Sequence, residues 1–328
     1  MSTEPAGLPR LGIVIPCFNE EAVLPETTRQ LGVLLRQLVS DGLVSADSAV
    51  WYVDDGSRDA TWALISAQSA LDGCPVRGIR LSRNRGHQAA LMAGLMTAEG
   101  DVLISVDADL QDDLSVIRTM IEHHRDGSEI VYGVRSSRQT DTFFKRFTAE
   151  GYYKVLQGFG VEVVFNHADY RLMGRRAIEA LRQFPESNLF LRGLIPQLGF
   201  RCSAVEYARA ERFAGESKYP LTKMLALAWQ GITSFSTAPL RLITALGVTV
   251  SFMSLLLVFW ALYVRLFTQN ALPGWSSIVI PVLFLSGVQL LSLGVIGEYV
   301  AKIFVETKRR PHYFIEEVVG APVAGGRP

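Results

Sequence analysis

Apolar positions along this chain change rhythm twice. Residues 11–18, 49–55, 76–82, 101–109 and 129–135 are short runs rich in aliphatic and β-branched side chains, and each predicts a buried strand. The stretches between them, 20–40, 59–71, 86–99 and 113–126, predict helices. Such alternation predicts an α/β domain with a mostly parallel sheet covered by helices on both faces. Ligands of these sheets sit at the carboxyl ends of the strands. The five runs end in Asn19 and Glu20, Asp54 and Asp55, Arg83 and Asn84, Asp107 and Asp109, and Arg135 and Arg138. The pattern therefore predicts a polar site along one edge of the sheet.

The C-terminal third reads differently. Residues 242–264 carry no charge across 23 positions, and 278–296 form a second uncharged stretch. At about 1.5 Å per helical residue, the first can cross a hydrocarbon core of about 30 Å. A short link, 265–277, makes the two a hairpin with spans near 242–264 and 277–301. Lys223 and Arg241 precede the pair, and Lys302, Lys308, Arg309 and Arg310 follow it, whereas Arg265 alone is basic near the other side. Positive charge concentrates on the cytoplasmic side, so both termini are expected there, in a multi-pass protein of the cell (inner) membrane. Residues 221–235 and 143–159 carry apolar stripes at helical spacing with basic residues nearby, and they fit either a bilayer surface or a packed core. The resulting division is a catalytic domain at 1–218, a juxtamembrane interfacial helix at 219–241, the hairpin at 242–304 and a cytoplasmic tail at 305–328.

Composition narrows the function classes. Lys and Arg together number 32, as do Asp and Glu, so the net charge is zero and no basic excess points to a nucleic acid. Hydrophobic residues make up 49%, and the mean hydropathy of +0.22 is high because of the C-terminal third. The three cysteines, Cys17, Cys74 and Cys202, lack metal-ligand spacing and leave one over in any disulfide scheme, which favours a reduced, cytosol-facing domain. Residues 1–10 hold no apolar signal core, so export of the N-terminus is not expected.

Candidate chemistry lies at the strand ends. Asp107-Ala108-Asp109 follows an apolar strand and continues as Leu110-Gln111-Asp112-Asp113. Two carboxylates at this spacing can share Mg²⁺ or Mn²⁺, and they can equally cap a helix. Asp54 and Asp55, in Val53-Asp54-Asp55-Gly56-Ser57, can accept hydrogen bonds from a ribose or a base, or can form an ordinary turn. Ile15-Pro16-Cys17-Phe18-Asn19-Glu20 offers the same choice. Arg135, Arg138, Arg212 and Lys218 are candidates for phosphate contacts, with solvated surface charge as the bland alternative. A dinucleotide-binding oxidoreductase is disfavoured, because Gly158-Phe159-Gly160 lacks a third glycine and a preceding strand.

Taken together, Val14–Glu20, Val53–Ser57, Leu81–Gly86 and Asp107–Asp112 resemble the family 2 glycosyltransferases, whose GT-A fold is Rossmann-like. Asp169-Tyr170-Arg171-Leu172-Met173, Gly215-Glu216-Ser217-Lys218-Tyr219 and Gly297-Glu298-Tyr299 narrow the resemblance to polyisoprenyl-phosphate glycosyltransferases. These include bactoprenol glucosyltransferases and relatives of dolichol-phosphate mannose synthase. The resemblance implies inverting transfer of a hexose, glucose favoured, from a nucleotide-sugar such as UDP-glucose to a polyprenyl phosphate. N-acetylglucosamine, N-acetylgalactosamine, mannose and aminoarabinose donors stay open, as does a non-catalytic membrane scaffold. It further implies that Pro16, Asn19, Glu20, Asp54, Asp55 and Asn84 hold the nucleotide-sugar, and that Asp107, Asp109 and Gln111 bind Mg²⁺ or Mn²⁺ and the diphosphate. Asp169 and Asp109 are the implied catalytic residues. Arg135, Arg138, Arg212 and Lys218 are the implied phosphate contacts, and a homotetramer is the implied assembly. His87 stands where lysine is common, Asp113 where proline is common, and Gly174 where an acidic residue is frequent. No Gln-x-x-Arg-Trp motif of a processive synthase occurs.

Overall fold

A computed structural model describes residues 7–68, 76–135, 167–184, 191–208, 237–267 and 274–320. The chain divides into two compact units. The first comprises Met1–Tyr153, Glu162–Tyr219 and Arg310–Pro328; the second comprises Lys154–Val161 and Pro220–Arg309.

The first unit is built on one eight-stranded sheet. Its strands are β1 (Leu11–Cys17), β2 (Ala49–Asp54), β3 (Val76–Leu81), β4 (Val102–Ser105), β5 (Ile130–Arg135), β6 (His167–Gly174), β7 (Cys202–Tyr207) and β8 (Ile315–Val319). Their order is β7-β5-β6-β4-β1-β2-β3-β8. β1 runs parallel to β2 and β4, β2 to β3, and β5 to β7, while β6 and β8 run antiparallel to their neighbours. The sheet is therefore mixed but mostly parallel. β1, β2 and β4 are buried at every position. That is why they read as continuous apolar runs rather than alternating ones.

Helices α1 (Leu24–Ser40), α2 (Thr61–Ala67), α3 (His87–Thr97), α4 (Val116–Arg125), α5 (Arg175–Leu181) and α6 (Leu191–Gln197) accompany the sheet. α1 buries Leu24, Leu31, Leu35 and Leu38, one stripe at helical spacing, in the main core cluster with Ile13, Ile15 and Tyr52. α3 lies so close to β1 that a Cβ on Gly94 would stand 2.3 Å from Val14 Cγ1 and 2.8 Å from Val53 Cγ2. No larger residue fits there without displacing β-branched core.

Several boundaries differ from the sequence reading. α1 begins at Leu24 rather than residue 20: the Glu20 carbonyl accepts the Val23 and Leu24 N–H groups in a preceding turn, while the Glu20 N–H and the Glu21 carboxylate bond Thr61 and Ala60 at the start of α2. β4 ends at Ser105, so Asp107 and Asp109 sit on the loop beyond it. The apolar pattern does not predict β6, β7 or β8. β8 comes from 305–328, assigned to a tail, and it closes the sheet edge beside β3.

In the second unit the described elements are two long helices, α7 (Ala238–Phe267) and α8 (Gly274–Thr307). They contain the stretches 242–264 and 277–301. Phe252, Trp260, Phe284, Leu290 and Ile303 on them are more than half exposed. Among the described residues, Phe284–Thr307 is long and apolar enough to cross a membrane, with a mean hydropathy of 1.6 and none of it buried. Residues 143–159 and most of 219–241, the two amphipathic stretches, lie outside the described residues.

Candidate active site

The topology brings the polar strand ends together. β1 is flanked by β2 on one side and β4 on the other, so the chain's path reverses beside it and opens a crevice at the carboxyl edge. β6 runs the opposite way between β4 and β5, which delivers its amino end, with Asp169, to that same edge.

On the β1–β2 side, most of the implied nucleotide-binding residues also shape the loops. Asn19 adopts a left-handed conformation, with φ of 55°. Its Oδ1 accepts the Arg58 N–H at 2.9 Å, and its own N–H donates to Ser57 Oγ at 2.9 Å. The Glu20 N–H donates to Thr61 Oγ1 at 2.9 Å. Pro16 is buried in β1 opposite Val53. Asp55 accepts N–H groups from Arg85 at 2.7 Å and Gly86 at 2.8 Å, one on each carboxylate oxygen, and so clamps the β3–α3 loop that carries the exposed Asn84. Burial raises the Asp55 carboxyl, and these two backbone bonds oppose the rise. Gly56, at φ of 69°, packs so close to this loop that a Cβ would lie 2.7 Å from the Asn84 nitrogen. Asp54 is fully buried, and its Oδ1 accepts the Ser57 N–H at 3.1 Å. Burial raises its carboxyl as well.

The acidic motif sits on the β4 side. Leu110 has φ of 56° and turns the loop so that Asp109 Oδ1 accepts the Gln111 N–H at 3.2 Å. Gln111 is nearly buried. Burial pushes the Asp107 carboxyl up to about 6, and the like charges of Asp112, Asp169 and Asp109 add to it, while His87 opposes it. A crowd of carboxylates whose charge is disfavoured in this way is what a divalent cation neutralises. Among the described residues no group of three or more His, Cys, Asp or Glu is arranged to hold a metal alone. Two carboxylates suffice for a cation that takes its other ligands from phosphate and water, so Asp107 and Asp109 fit Mg²⁺ or Mn²⁺.

Asp169 is the most heavily engaged side chain of the site. Arg171 pairs with its Oδ1, and Arg192 bonds both oxygens, at 3.3 and 3.1 Å. Gln88 Nε2 donates at 3.3 Å, and His87 Nε2 stands at 3.5 Å. Burial opposes ionisation, but His87, Arg171 and Arg192 outweigh it and hold the carboxyl well below the usual range. His87, the departure from lysine, also reaches Asp107 Oδ1 at 3.6 Å and so spans the two acidic groups. Burial would lower the imidazole, yet Asp169 and Asp107 raise it above its ordinary value.

Arg135 is tied into the sheet. Its Nε donates to the Tyr207 hydroxyl at 3.4 Å, and its Nη2 lies 3.9 Å from Asp112, to which Tyr207 donates at 2.5 Å. Arg138, Arg212 and Lys218 lie outside the described residues. Arg171, Arg192 and Gln88 had escaped the sequence reading. Arg171 had a signal, since residues i and i+2 of a strand share a face. Arg192 had none, being distant in sequence and on a helix of seven residues.

Comparison with known proteins adds four matches. Residues 12–182 match the model of the family described as Glycosyl transferase family 2. The chain is 50% identical over 310 residues to the uncharacterized glycosyltransferase YkoT of Bacillus subtilis (strain 168), covering 94% of this chain and 91% of that one. It is 40% identical over 311 residues to the bactoprenol glucosyl transferase of Shigella phage SfV, covering 94% and 98%. Among solved structures, the mannosyltransferase PcManGT from Pyrobaculum calidifontis, in complex with GDP-Man and Mn²⁺, is similar with a TM-score of 0.45 and 16% identity, over 94% of this chain and 88% of that one.

Proposed function

The chain belongs to the family 2 glycosyltransferases, and on that premise we propose that it transfers a hexose, glucose first, from a nucleotide-sugar such as UDP-glucose to a polyprenyl phosphate. The bactoprenol glucosyl transferases among its relatives support the acceptor and the sugar, because they match nearly the whole chain rather than the catalytic part alone. The observation that carries the reading is that His87 spans Asp107 and Asp169 at the crevice edge, with Asp109 near enough to add its like charge at Asp107. Pro16, Asn19, Glu20, Asp54, Asp55 and Asn84 line the donor side. Several of them act by fixing the loops rather than by presenting a free side chain. Mg²⁺ or Mn²⁺ held by Asp107 and Asp109, beside Gln111, would supply charge neutralisation for the departing diphosphate.

The chemistry follows from the acceptor. A phosphate oxygen of the lipid attacks the anomeric carbon, and the new C–O bond forms as the bond to the diphosphate breaks. The electron pair leaves with the nucleoside diphosphate, and configuration inverts. A phosphate monoester has a second pKa of about 6, so the nucleophile arrives ionised and no proton need be removed. Asp169 suits this division of labour. Its carboxylate is held by Arg171 and Arg192, so it orients cations toward a phosphate and is a poor base. Arg135, Arg138, Arg212 and Lys218 are the further phosphate contacts of this reading.

Membrane placement belongs to the same proposal. The polypeptide leaves the sheet-bearing unit before α7 and rejoins its sheet as β8 after α8. A segment that starts and ends on one body crosses a bilayer an even number of times. This supports the hairpin at 242–304 in a multi-pass protein, and the basic Lys308, Arg309 and Arg310 that follow it support the cytoplasmic side of the inner membrane for both termini. Domain limits of 1–218 for catalysis and 219–241 for an interfacial helix accompany it, with β8 returning to the catalytic unit, and a homotetramer is the assembly we adopt.

Acceptor choice tests the mechanism. With UDP-glucose and Mn²⁺, undecaprenyl phosphate is glycosylated, and undecaprenol, whose hydroxyl needs a base, reacts at least about a thousandfold more slowly. Comparable rates on the two lipids would refute the role given to the phosphate.

A further inference from the structure

The antiparallel strand β8 does more than cover an edge. Its pairing with β3 runs Gly78 to Val319, Ile79 to Val318 and Arg80 to Glu317, then slips so that Leu81 faces Ile315. Glu316 is the extra residue of this bulge, and bulges re-aim side chains. Its Oε2 stands 3.6 Å from Arg80 Nε. On the other side the same Nε lies 3.8 Å from Asp54 Oδ2, across the β2–β3 pairing that sets Asp54 beside Arg80. The Arg80 guanidinium also lies over the Trp62 ring, 5.7 Å from its centroid.

Neither charge pair closes to a hydrogen bond. Arg80 Nε and Asp54 Oδ2 are both buried without a hydrogen-bond partner among the described residues. A buried carboxylate oxygen left without a donor is costly, and such an exception calls for a function. Asp54 stands at the carboxyl end of β2, on the donor side of the crevice.

We propose that Glu316 is a positioning residue for the donor nucleotide: it shares the Arg80 guanidinium with Asp54 and keeps it from closing on Oδ2, which stays available to an N–H or O–H of the nucleoside. The proposal rests on the reading of Asp54 as a nucleotide contact. It makes the strand beyond α8 part of the donor site, although it is remote from every donor motif in sequence. Glu316 is about half exposed, at 54%, so its pull on Arg80 is that of a surface pair. The effect on binding is accordingly about fivefold rather than a hundredfold.

The test measures dissociation constants of uridine and guanosine diphosphate, with Mn²⁺, for the full chain and for E316Q, R80Q, the double variant and E317Q. E316Q is expected to weaken the preferred nucleotide about fivefold. It should raise the donor KM while leaving kcat at saturating donor unchanged. The same change in an R80Q background should have no effect, and E317Q should bind as the unaltered chain does. Thermal unfolding within a degree or two across the set confirms that the fold is common to them. Unchanged affinity in E316Q, or an equal loss with and without Arg80, overturns the proposal alone. Failure of the unaltered chain to bind either diphosphate overturns the reading of Asp54 and this proposal with it.

Discussion

Replacing Asp107 by asparagine is expected to lower the maximal rate of sugar transfer about a thousandfold and to shift Mn²⁺ activation to higher concentration. The size follows from what the carboxylate does. A divalent cation at a departing diphosphate contributes several kcal/mol of charge stabilisation, and each 1.4 kcal/mol is worth about tenfold in rate. Asp107 is partly shielded from water and crowded by Asp109, Asp112 and Asp169, so the unliganded site resists full ionisation. A cation relieves that repulsion, which ties affinity for metal to the whole cluster. Asparagine keeps the shape and removes the charge, so stability should hold while metal affinity falls. Initial rates of lipid glycosylation across a Mn²⁺ titration check this. A rate within tenfold of the unaltered protein would remove Asp107 from the metal site.

Asp169→Asn carries the second large effect, a rate loss of about a hundredfold with no new dependence on pH. The carboxyl of Asp169 lies well below the ordinary range, because its cationic partners outweigh burial. A depressed group stays ionised at every pH above its ordinary value of about 4, so it contributes no titration near neutrality. If Asp169 acts by aiming Arg171 and Arg192, asparagine loosens that aim at all pH values alike. The rate of the variant should then be flat from about pH 7 to pH 9, parallel to the unaltered enzyme. A variant rate that climbs with hydroxide concentration would instead make Asp169 the base. Removing one partner of a buried pair also destabilises, since Arg171 is 1% exposed. A melting curve belongs beside the kinetics.

How much of this was legible in sequence can be read from particular residues. Four of the five runs became β1, β2, β3 and β5 close to their bounds, and the fourth shortened to β4; β1, β2 and β4 are buried at every position and leave an apolar signature, whereas β3 carries Arg77 and Arg80 within its run. β8 left no such mark. Ile315-Glu316-Glu317-Val318-Val319 is a short exposed edge, and its place depends on pairing with β3 across more than two hundred residues of chain. β6 was visible as a motif but not as a strand, because Asp169 and Arg171 interrupt its apolar pattern to serve the site. The Asp107 and Asp109 pair was legible from composition and position. Asp55, expected as a nucleotide contact, also clamps the Arg85–Gly86 backbone, a role that spacing alone does not reveal. Arg192 reaches Asp169 only through the tertiary fold.

The central claim is that this chain moves a hexose from a nucleotide to a lipid phosphate. Its most direct test is mass analysis of the lipid after purified full-length protein has been incubated with Mn²⁺, undecaprenyl phosphate and a panel of nucleotide-sugars. The account predicts a lipid heavier by one hexose with UDP-glucose, dependent on metal and absent in D107N. An unmodified lipid with every donor, or release of nucleoside diphosphate to water alone, would contradict it.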